Sequence, residues 1–259
     1  RRQVYAEERQ RAIADQVRTH GRASVTALAD RFEVTSETVR RDLAVLERAG
    51  SLQRVHGGAV KAGAVEVLDE LGLDQRESAH TEEKASIARA AMRFLPSDGG
   101  SVIFDAGTTT YQAAKLLPAD RRLTVISTSL QLGQALTAHE RATLLMVGGR
   151  VRGLTQAAVG ADTVAALSRM RASVAFVGTN GISEAHGLST PDVEEAAVKT
   201  AIIAAAQRVV VLADSSKMNR DDFSSFASLD DVDVLITDDG IDPEFSAALS
   251  ARGIEVVIA

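Results

Sequence analysis

Five short loops in this 259-residue chain carry the residue types that hold a small anion. The apolar run Ser101–Phe104 leads into Asp105-Ala106-Gly107-Thr108-Thr109-Thr110 and then into helical sequence. A glycine permits close backbone approach, a helix start offers free N–H groups, and three threonine hydroxyls can donate, a combination that suits a phosphate. The loop lacks the Gly-Lys-Ser/Thr ending of a nucleotide-binding P-loop, and the chain has no G-x-G-x-x-G. On its own it reads equally well as a threonine-rich helix cap. Ser127-Thr128-Ser129 follows the next apolar run, and Gly148-Gly149-Arg150-Val151-Arg152 the third. Gly178-Thr179-Asn180-Gly181 follows the fourth, and Asp214-Ser215-Ser216-Lys217 the fifth. Glu195 and Lys199 stand at i and i+4 on one helix face, where a surface ion pair worth a few tenths of a kcal/mol is the plain reading. Five successive loops with hydroxyl, glycine or cationic residues together indicate a small polyhydroxylated anion, and a sugar phosphate fits best.

Those loops need a scaffold that aligns them, and the hydrophobic pattern supplies one. Apolar runs at Ser101–Phe104, Leu123–Ser127, Thr143–Val147, Val174–Val177, Val209–Ala213, Val232–Thr237 and Glu255–Ile258 read as strands. Helical patterns fall between most of them, at Glu82–Phe94, Tyr111–Leu117, Leu130–Ala138, Asp162–Met170, Val193–Ala206 and Pro243–Ala251. Continuous apolar strands alternating with helices imply a mostly parallel sheet covered on both faces, with ligands at the carboxyl ends of the strands.

The first 60 residues read differently. A first helix is expected from about Ala6 to Thr19, with Ile13 and Val17 inward. Val25, Leu28, Ala29 and Phe32 have the period of a short supporting helix. In the next helix, 36–48, Val39, Leu43 and Leu46 share a buried face, with Thr35 or Ser36 as N-cap. That leaves Ser36, Glu37, Thr38, Arg40 and Arg41 outward, as a recognition helix in the major groove requires. Arg54, Val55, His56, Gly57 and Gly58 then suit a basic winged hairpin against the DNA backbone, with Arg54 and His56 as its contacts. A solvated helical hairpin is the alternative for the helix pair alone; the N-cap, the supporting helix and the wing favour a winged helix-turn-helix.

Charge divides the same way. Residues 1–60 hold 11 arginines against 8 acids, a net of +3, which leaves −9 for the remainder of a chain whose total is −6. A basic head on an acidic body is expected when only the head meets phosphates. The excess is modest, so two heads on one operator, and hence a homodimer or homotetramer, are expected. The expected organisation is a DNA-binding head over 1–60, a linker over 61–79 and a ligand-binding body over 80–259. There is no cysteine, which excludes disulfides and thiolate metal sites and fits a cytoplasmic location. No apolar run approaches the roughly 20 residues of a membrane span. His20, His56, His80, His139 and His186 have no metal-ligand spacing, so neither a metal nor a cofactor is expected.

VTALADRFEVTSETVRRDLAVLERAG followed by RVHGGAV resembles the head of the DeoR-type bacterial transcription regulators. DAGTTT, GGRVR, GTNGIS, the EAAVK helix and DSSK resemble their sensor domain. The likeness runs from about Tyr5 to the end, and looks closest to the SugR-like actinobacterial repressors of sugar phosphotransferase uptake genes. It implies a winged helix-turn-helix plus a larger α/β sensor domain similar in fold to ribose-5-phosphate isomerase. It also implies a repressor of sugar uptake or metabolism genes that leaves its operator when a phosphorylated sugar binds, a fructose phosphate being the expected effector. By motif the phosphate would sit on Gly107, Thr108 and Thr109. Asp105, Thr110, Thr128, Ser129, Gly149, Arg152, Thr179, Gly181, Glu195, Lys199 and Lys217 would line the rest, which turns Glu195 and Lys199 from a surface pair into pocket residues. The alternative is a sugar-phosphate isomerase with an accessory head. Related isomerases carry an acidic loop where this chain has Thr179-Asn180-Gly181-Ile182, so the acid/base set is depleted and no enzymatic activity is expected.

Overall fold

The computed structural model describes residues 6–20, 22–32, 34–55, 58–61 and 72–259. The chain divides into two units, Arg1–Glu66 and Val67–Ala259.

The smaller unit runs α1 (Ala6–His20), β1 (Arg22–Ser24), α2 (Val25–Phe32), α3 (Ser36–Arg48), β2 (Leu52–Val55) and β3 (Gly58–Lys61). The strands form an antiparallel sheet in the order β1-β3-β2, the hairpin of a wing. Ile13 and Val17 of α1, Leu28 of α2, and Val39, Leu43 and Leu46 of α3 form one buried cluster with Leu52 and Ala59. The period that puts Val39, Leu43 and Leu46 on one face therefore sets the orientation of α3. A polar tie adds to it: buried Asp42 accepts 2.6 Å from Arg9 Nε and 2.8 Å from Gln10 Nε2, fastening α3 to α1.

In the larger unit α4 (Leu73–Ser78) and α5 (Thr81–Ala91) precede β4 (Ser101–Phe104), α6 (Thr108–Ala114), β5 (Leu123–Ser127), α7 (Leu130–Leu136) and β6 (Ala142–Met146). Next come the hairpin β7 (Arg150–Arg152) and β8 (Ala157–Val159), then α8 (Ala161–Leu167), β9 (Val174–Val177), β10 (Gly181–Ser183), β11 (Gly187–Thr190) and α9 (Val193–Ala205). The chain finishes through β12 (Val209–Leu212), β13 (Ser224–Ala227), β14 (Val234–Thr237), α10 (Pro243–Ala251) and β15 (Glu255–Ile258). All seven strands expected from apolar runs belong to one parallel sheet in the order β15-β14-β12-β9-β4-β5-β6.

Alternation along these strands divides the core in two. Val102 and Phe104, Val174 and Phe176, and Val210 and Leu212 point to the α5–α7 side, where the Phe104 and Phe176 rings stack 5.1 Å apart. Ile103, Ala175, Val177, Val209 and Val211 point to the other side, against α8, α9 and α10. Six short strands, β7, β8, β10, β11 and β13 here and β1 in the smaller unit, fall outside the sequence expectation. At three or four residues each, they are too brief for a period to show. Within the stretch expected as linker, residues 73–78 are helical and Lys61 ends β3.

Strand order determines where a site can form. From β4 the chain moves outward through β5 and β6, then returns to place β9 on the other side of β4. The loops leaving β4 and β9 therefore run to opposite sides and open a crevice at the carboxyl ends of the two strands.

Asp42→Ala removes the acceptor that Arg9 and Gln10 share and should destabilise the head by about 3–5 kcal/mol. Denaturant unfolding measures this, and a loss below about 1 kcal/mol would show the tie to be incidental.

Candidate functional site

The crevice at this switch point is a cleft lined by Gly107, Thr108, Thr109 and Thr110 from the β4–α6 turn, Gly178 and Thr179 after β9, and Asp214 and Lys217 after β12. Arg76, Ala79, His80 and Lys84 close it from α4, α5 and the turn between them. Its threonines are not equivalent. Thr110 is fully buried, and its hydroxyl donates to the carbonyls of Asp105 (2.7 Å) and Gly107 (2.9 Å), holding the loop in shape. Thr179 likewise donates to the carbonyls of Gly181 (2.8 Å) and Ser189 (3.0 Å). Thr108 and Thr109 have no hydroxyl partner among the described residues and are the two able to turn to a ligand.

Three cations meet here: Arg76, Lys84 and Lys217. Burial pushes the Lys84 ammonium down to about 8, Asp214 opposing. Burial also lowers Lys217, again against Asp214. Asp214 is itself occupied as a cap, accepting the Ser216 N–H at 3.2 Å. Among the described residues no carboxylate comes within ion-pair distance of Arg76, Lys84 or Lys217.

Next to the cleft is a smaller chamber lined by Asp105, Thr128, Glu195 and Lys199 with Ala157, Ala158 and Val159. Asp105 and Lys199 are both buried and form an ion pair. The Asp105 carboxylate also accepts the Gly178 N–H at 3.0 Å, and Lys199 donates to the Gly178 carbonyl at 2.9 Å. Burial pushes the Asp105 carboxyl up, with Lys199 and the Gly178 N–H opposing. Glu195 accepts from Thr155 and, at 3.2 Å, from Arg152, whose Nε lies 3.1 Å from Asp192. Thr128 Oγ1 is buried without a hydrogen-bond partner among the described residues, and Thr128 lines this chamber.

The structure thus brings Gly107, Thr108, Thr109, Thr110, Thr179 and Lys217 to the cleft, and Asp105, Thr128, Glu195 and Lys199 to the chamber. Ser129, Gly149, Arg152 and Gly181 line neither. Ser129 caps α7 by accepting the Leu132 N–H at 3.3 Å. A side chain at Gly149 would strike Thr163 and the Val159 carbonyl, and one at Gly181 the Arg220 carbonyl, so both glycines serve close approach within the chain itself. The sequence reading missed Lys84, although its signal was present: Lys84, Ile87, Ala88 and Ala91 recur at i, i+3, i+4 and i+7, a lysine on the apolar stripe of its helix. Arg76 lay in the stretch taken as linker, and nothing in its spacing marked it.

On the smaller unit, Thr35 caps α3 by accepting the Thr38 N–H at 3.2 Å. Ser36, Glu37, Arg40 and Arg41 are exposed and Thr38 is half-buried. Glu37 lies 3.9 Å from Arg40 and 3.6 Å from Arg41. Exposed pairs of this kind are worth about 0–1 kcal/mol, so either arginine can leave for a phosphate or base at little cost. The Arg54 and His56 side chains lie outside the described residues.

Residues 9–63 match the DeoR-like helix-turn-helix domain and residues 79–239 the DeoR C terminal sensor domain. A transcriptional regulator of Haloferax volcanii, GlpR, is 36% identical over 96% of each chain. A lactose phosphotransferase system repressor of Staphylococcus epidermidis is 34% identical, over 87% of this chain and 89% of that one. Among solved structures, ribose 5-phosphate isomerase A of Methanocaldococcus jannaschii superposes with a TM-score of 0.41 at 18% identity, over 54% of this chain and 55% of that one. The chain belongs to the DeoR family of transcriptional regulators. It is a regulator and not an isomerase.

Lys199→Met strands the Asp105 carboxylate in the interior and should cost about 3–5 kcal/mol. Adding Asp105→Asn should recover much of that loss, a coupling that a double-mutant cycle in denaturant measures. Strict additivity would show that the two groups do not depend on each other.

Proposed function

We propose that this protein is a DNA-binding repressor of sugar uptake or metabolism genes, released from its operator when a phosphorylated sugar occupies the cleft. The observation that carries the effector assignment is the meeting of Arg76, Lys84 and Lys217 with two unengaged threonine hydroxyls, Thr108 and Thr109, at the switch point of the sheet. Phosphate is the small anion with enough acceptor oxygens for such a set, and it is held on Gly107, Thr108, Thr109 and Lys217. The sugar extends toward the inner chamber, where Asp105, Thr128 and Glu195 supply acceptors and a spare hydroxyl. A fructose phosphate is the favoured effector. The name of the Staphylococcus relative, a repressor of a sugar phosphotransferase system, supports the repressor reading.

Operator contact falls to Ser36, Glu37, Thr38, Arg40 and Arg41 of α3, with Arg54 and His56 in the wing. Two heads read one operator, so the working unit is a homodimer or homotetramer in the cytoplasm. Effector binding lowers operator affinity only if the effector binds the two states unequally, and a shift from 1:99 to 99:1 takes about 5.5 kcal/mol of preference.

Separable loss of the two activities tests the reading. Arg40→Ala or Arg41→Ala should weaken operator binding at least about tenfold while sugar-phosphate affinity stays unchanged; about 1–3 kcal/mol is typical of a base-reading contact. Thr108→Ala or Lys217→Ala should keep operator affinity and require a higher sugar-phosphate concentration for release. Operator release by sugar phosphate that is unaltered in both cleft variants would contradict the effector site. Unaltered operator binding in both arginine variants would contradict the recognition helix.

A further inference from the structure

The face that α3 turns away from the core is defined by the face it buries. Val39, Leu43 and Leu46 lie in the buried cluster of the head, and Asp42 beside them is tied to α1 by Arg9 and Gln10. On the opposite side Glu37, Arg41, Ala44 and Arg48 stand at i, i+4, i+7 and i+11, one stripe along the helix. Glu37, Arg41 and Arg48 are exposed, and Ala44 among them is small enough for close approach. Arg48, at the far end, donates from Nε to the Ala44 carbonyl at 3.1 Å. A recognition helix meets base edges with its N-terminal residues. The first member of the stripe, at the end that enters the groove, is therefore a carboxylate.

A carboxylate is out of place on a surface that meets a polyanion. Every phosphate repels it, and it has no proton to donate. Its benefit to the helix dipole, about 0.3–1 kcal/mol, would be the same on any face of the first turn. In the free head it lies 3.6 Å from Arg41 and 3.9 Å from Arg40, exposed pairs that give way readily. Once the arginines turn to DNA, the carboxylate needs a donor on the floor of the groove. The major groove offers two, the N4 amino group of cytosine and the N6 amino group of adenine. Adenine sets the N7 acceptor beside its amino group, which repels a second carboxylate oxygen, whereas cytosine presents its amino group without such a neighbour. Thr38 does not compete for the same base edge, because it is half-buried and its hydroxyl lies 2.9 Å from that of the Thr35 cap.

We propose, building on the recognition-helix reading above, that Glu37 is a specificity-determining residue that accepts from the N4 amino group of one cytosine in each operator half-site. The arginines supply affinity, and Glu37 sets which sequence receives it. Any other base at that position leaves a desolvated carboxylate without a donor. Arg41 follows one turn further along the same stripe, about 6 Å up the helix axis. With base pairs about 3.4 Å apart, that spacing puts it at the pairs next to the cytosine.

Selection of bound duplexes from a randomised pool by the full chain, followed by titration of single-base-pair variants of the selected site, tests this. The wild type should require C·G at one position of each half-site and discriminate against other pairs there by about fivefold to 150-fold, the range of one good base contact. Glu37→Ala should lose that preference and keep the rest of the site. Glu37→Gln should exchange it for A·T, because a glutamine amide matches adenine N6 and N7. Both substitutions fall at an exposed position and leave the buried face of α3 untouched. Retention of the C·G preference by either variant would overturn the assignment, as would a Glu37-dependent position that is not C·G. Affinity lost evenly over all positions would also overturn it, since that is the result if Glu37 only holds Arg40 and Arg41 in place. A wild type that selects no sequence would count against the recognition helix itself, and this inference would fall with it.

Discussion

The larger unit depends on one buried knot: Asp105 at the end of β4, Lys199 on α9, and the main chain of Gly178 at the end of β9. These are the two strands between which the winding of the sheet reverses. Loops that diverge at such a point leave polar main chain facing a crevice, and something must hold the loops apart without letting them fray. Asp105 accepts from the Gly178 N–H and Lys199 donates to the Gly178 carbonyl, so both polar groups of that residue are satisfied from the side. A carboxylate or an ammonium alone at this depth would be strongly unfavourable; together, with main-chain bonds on each, they are tolerated and directional. Gly178 lines the cleft, and Asp105 and Lys199 line the chamber next to it.

The knot also explains why cations near the cleft divide into two kinds. Lys199 and Arg152 are matched to carboxylates and shape the protein. Arg76, Lys84 and Lys217 face the cleft and have no carboxylate within ion-pair distance among the described residues. Lysines near one cleft, on α5, on α9 and in the turn after β12, thus differ because of the groups within 4 Å of them, which sequence spacing cannot express.

Much of the fold was legible because it rests on periodicity. The inner strands β14, β12, β9, β4 and β5 are apolar runs with both faces covered, the edge strands β6 and β15 keep an apolar pattern while partly exposed, and each helix of the head carries a clear stripe. The short antiparallel strands β7, β8, β10, β11 and β13 were not legible, because three or four residues show no period and their pairing is made by tertiary contact. The site was read by loop composition, which located the carboxyl ends correctly but could not separate jobs within a loop. Thr108 and Thr110 look alike in sequence, yet Thr110 is consumed by its own turn. Gly149 and Gly181 resemble ligand-approach glycines, yet what approaches them is the chain itself. The misfit of Lys84 on an apolar stripe was visible in the spacing of Lys84, Ile87, Ala88 and Ala91.

Whether the larger unit senses a phosphorylated sugar is decided by thermal stability against a panel of sugar phosphates, with the free sugars and inorganic phosphate as controls. A ligand at 100 times its Kd adds about 2.7 kcal/mol, enough for a clear upward shift in Tm. A shift is expected with one or a few phosphorylated sugars and none with their unphosphorylated counterparts. No shift with any sugar phosphate, or an equal shift with the free sugars, would contradict it.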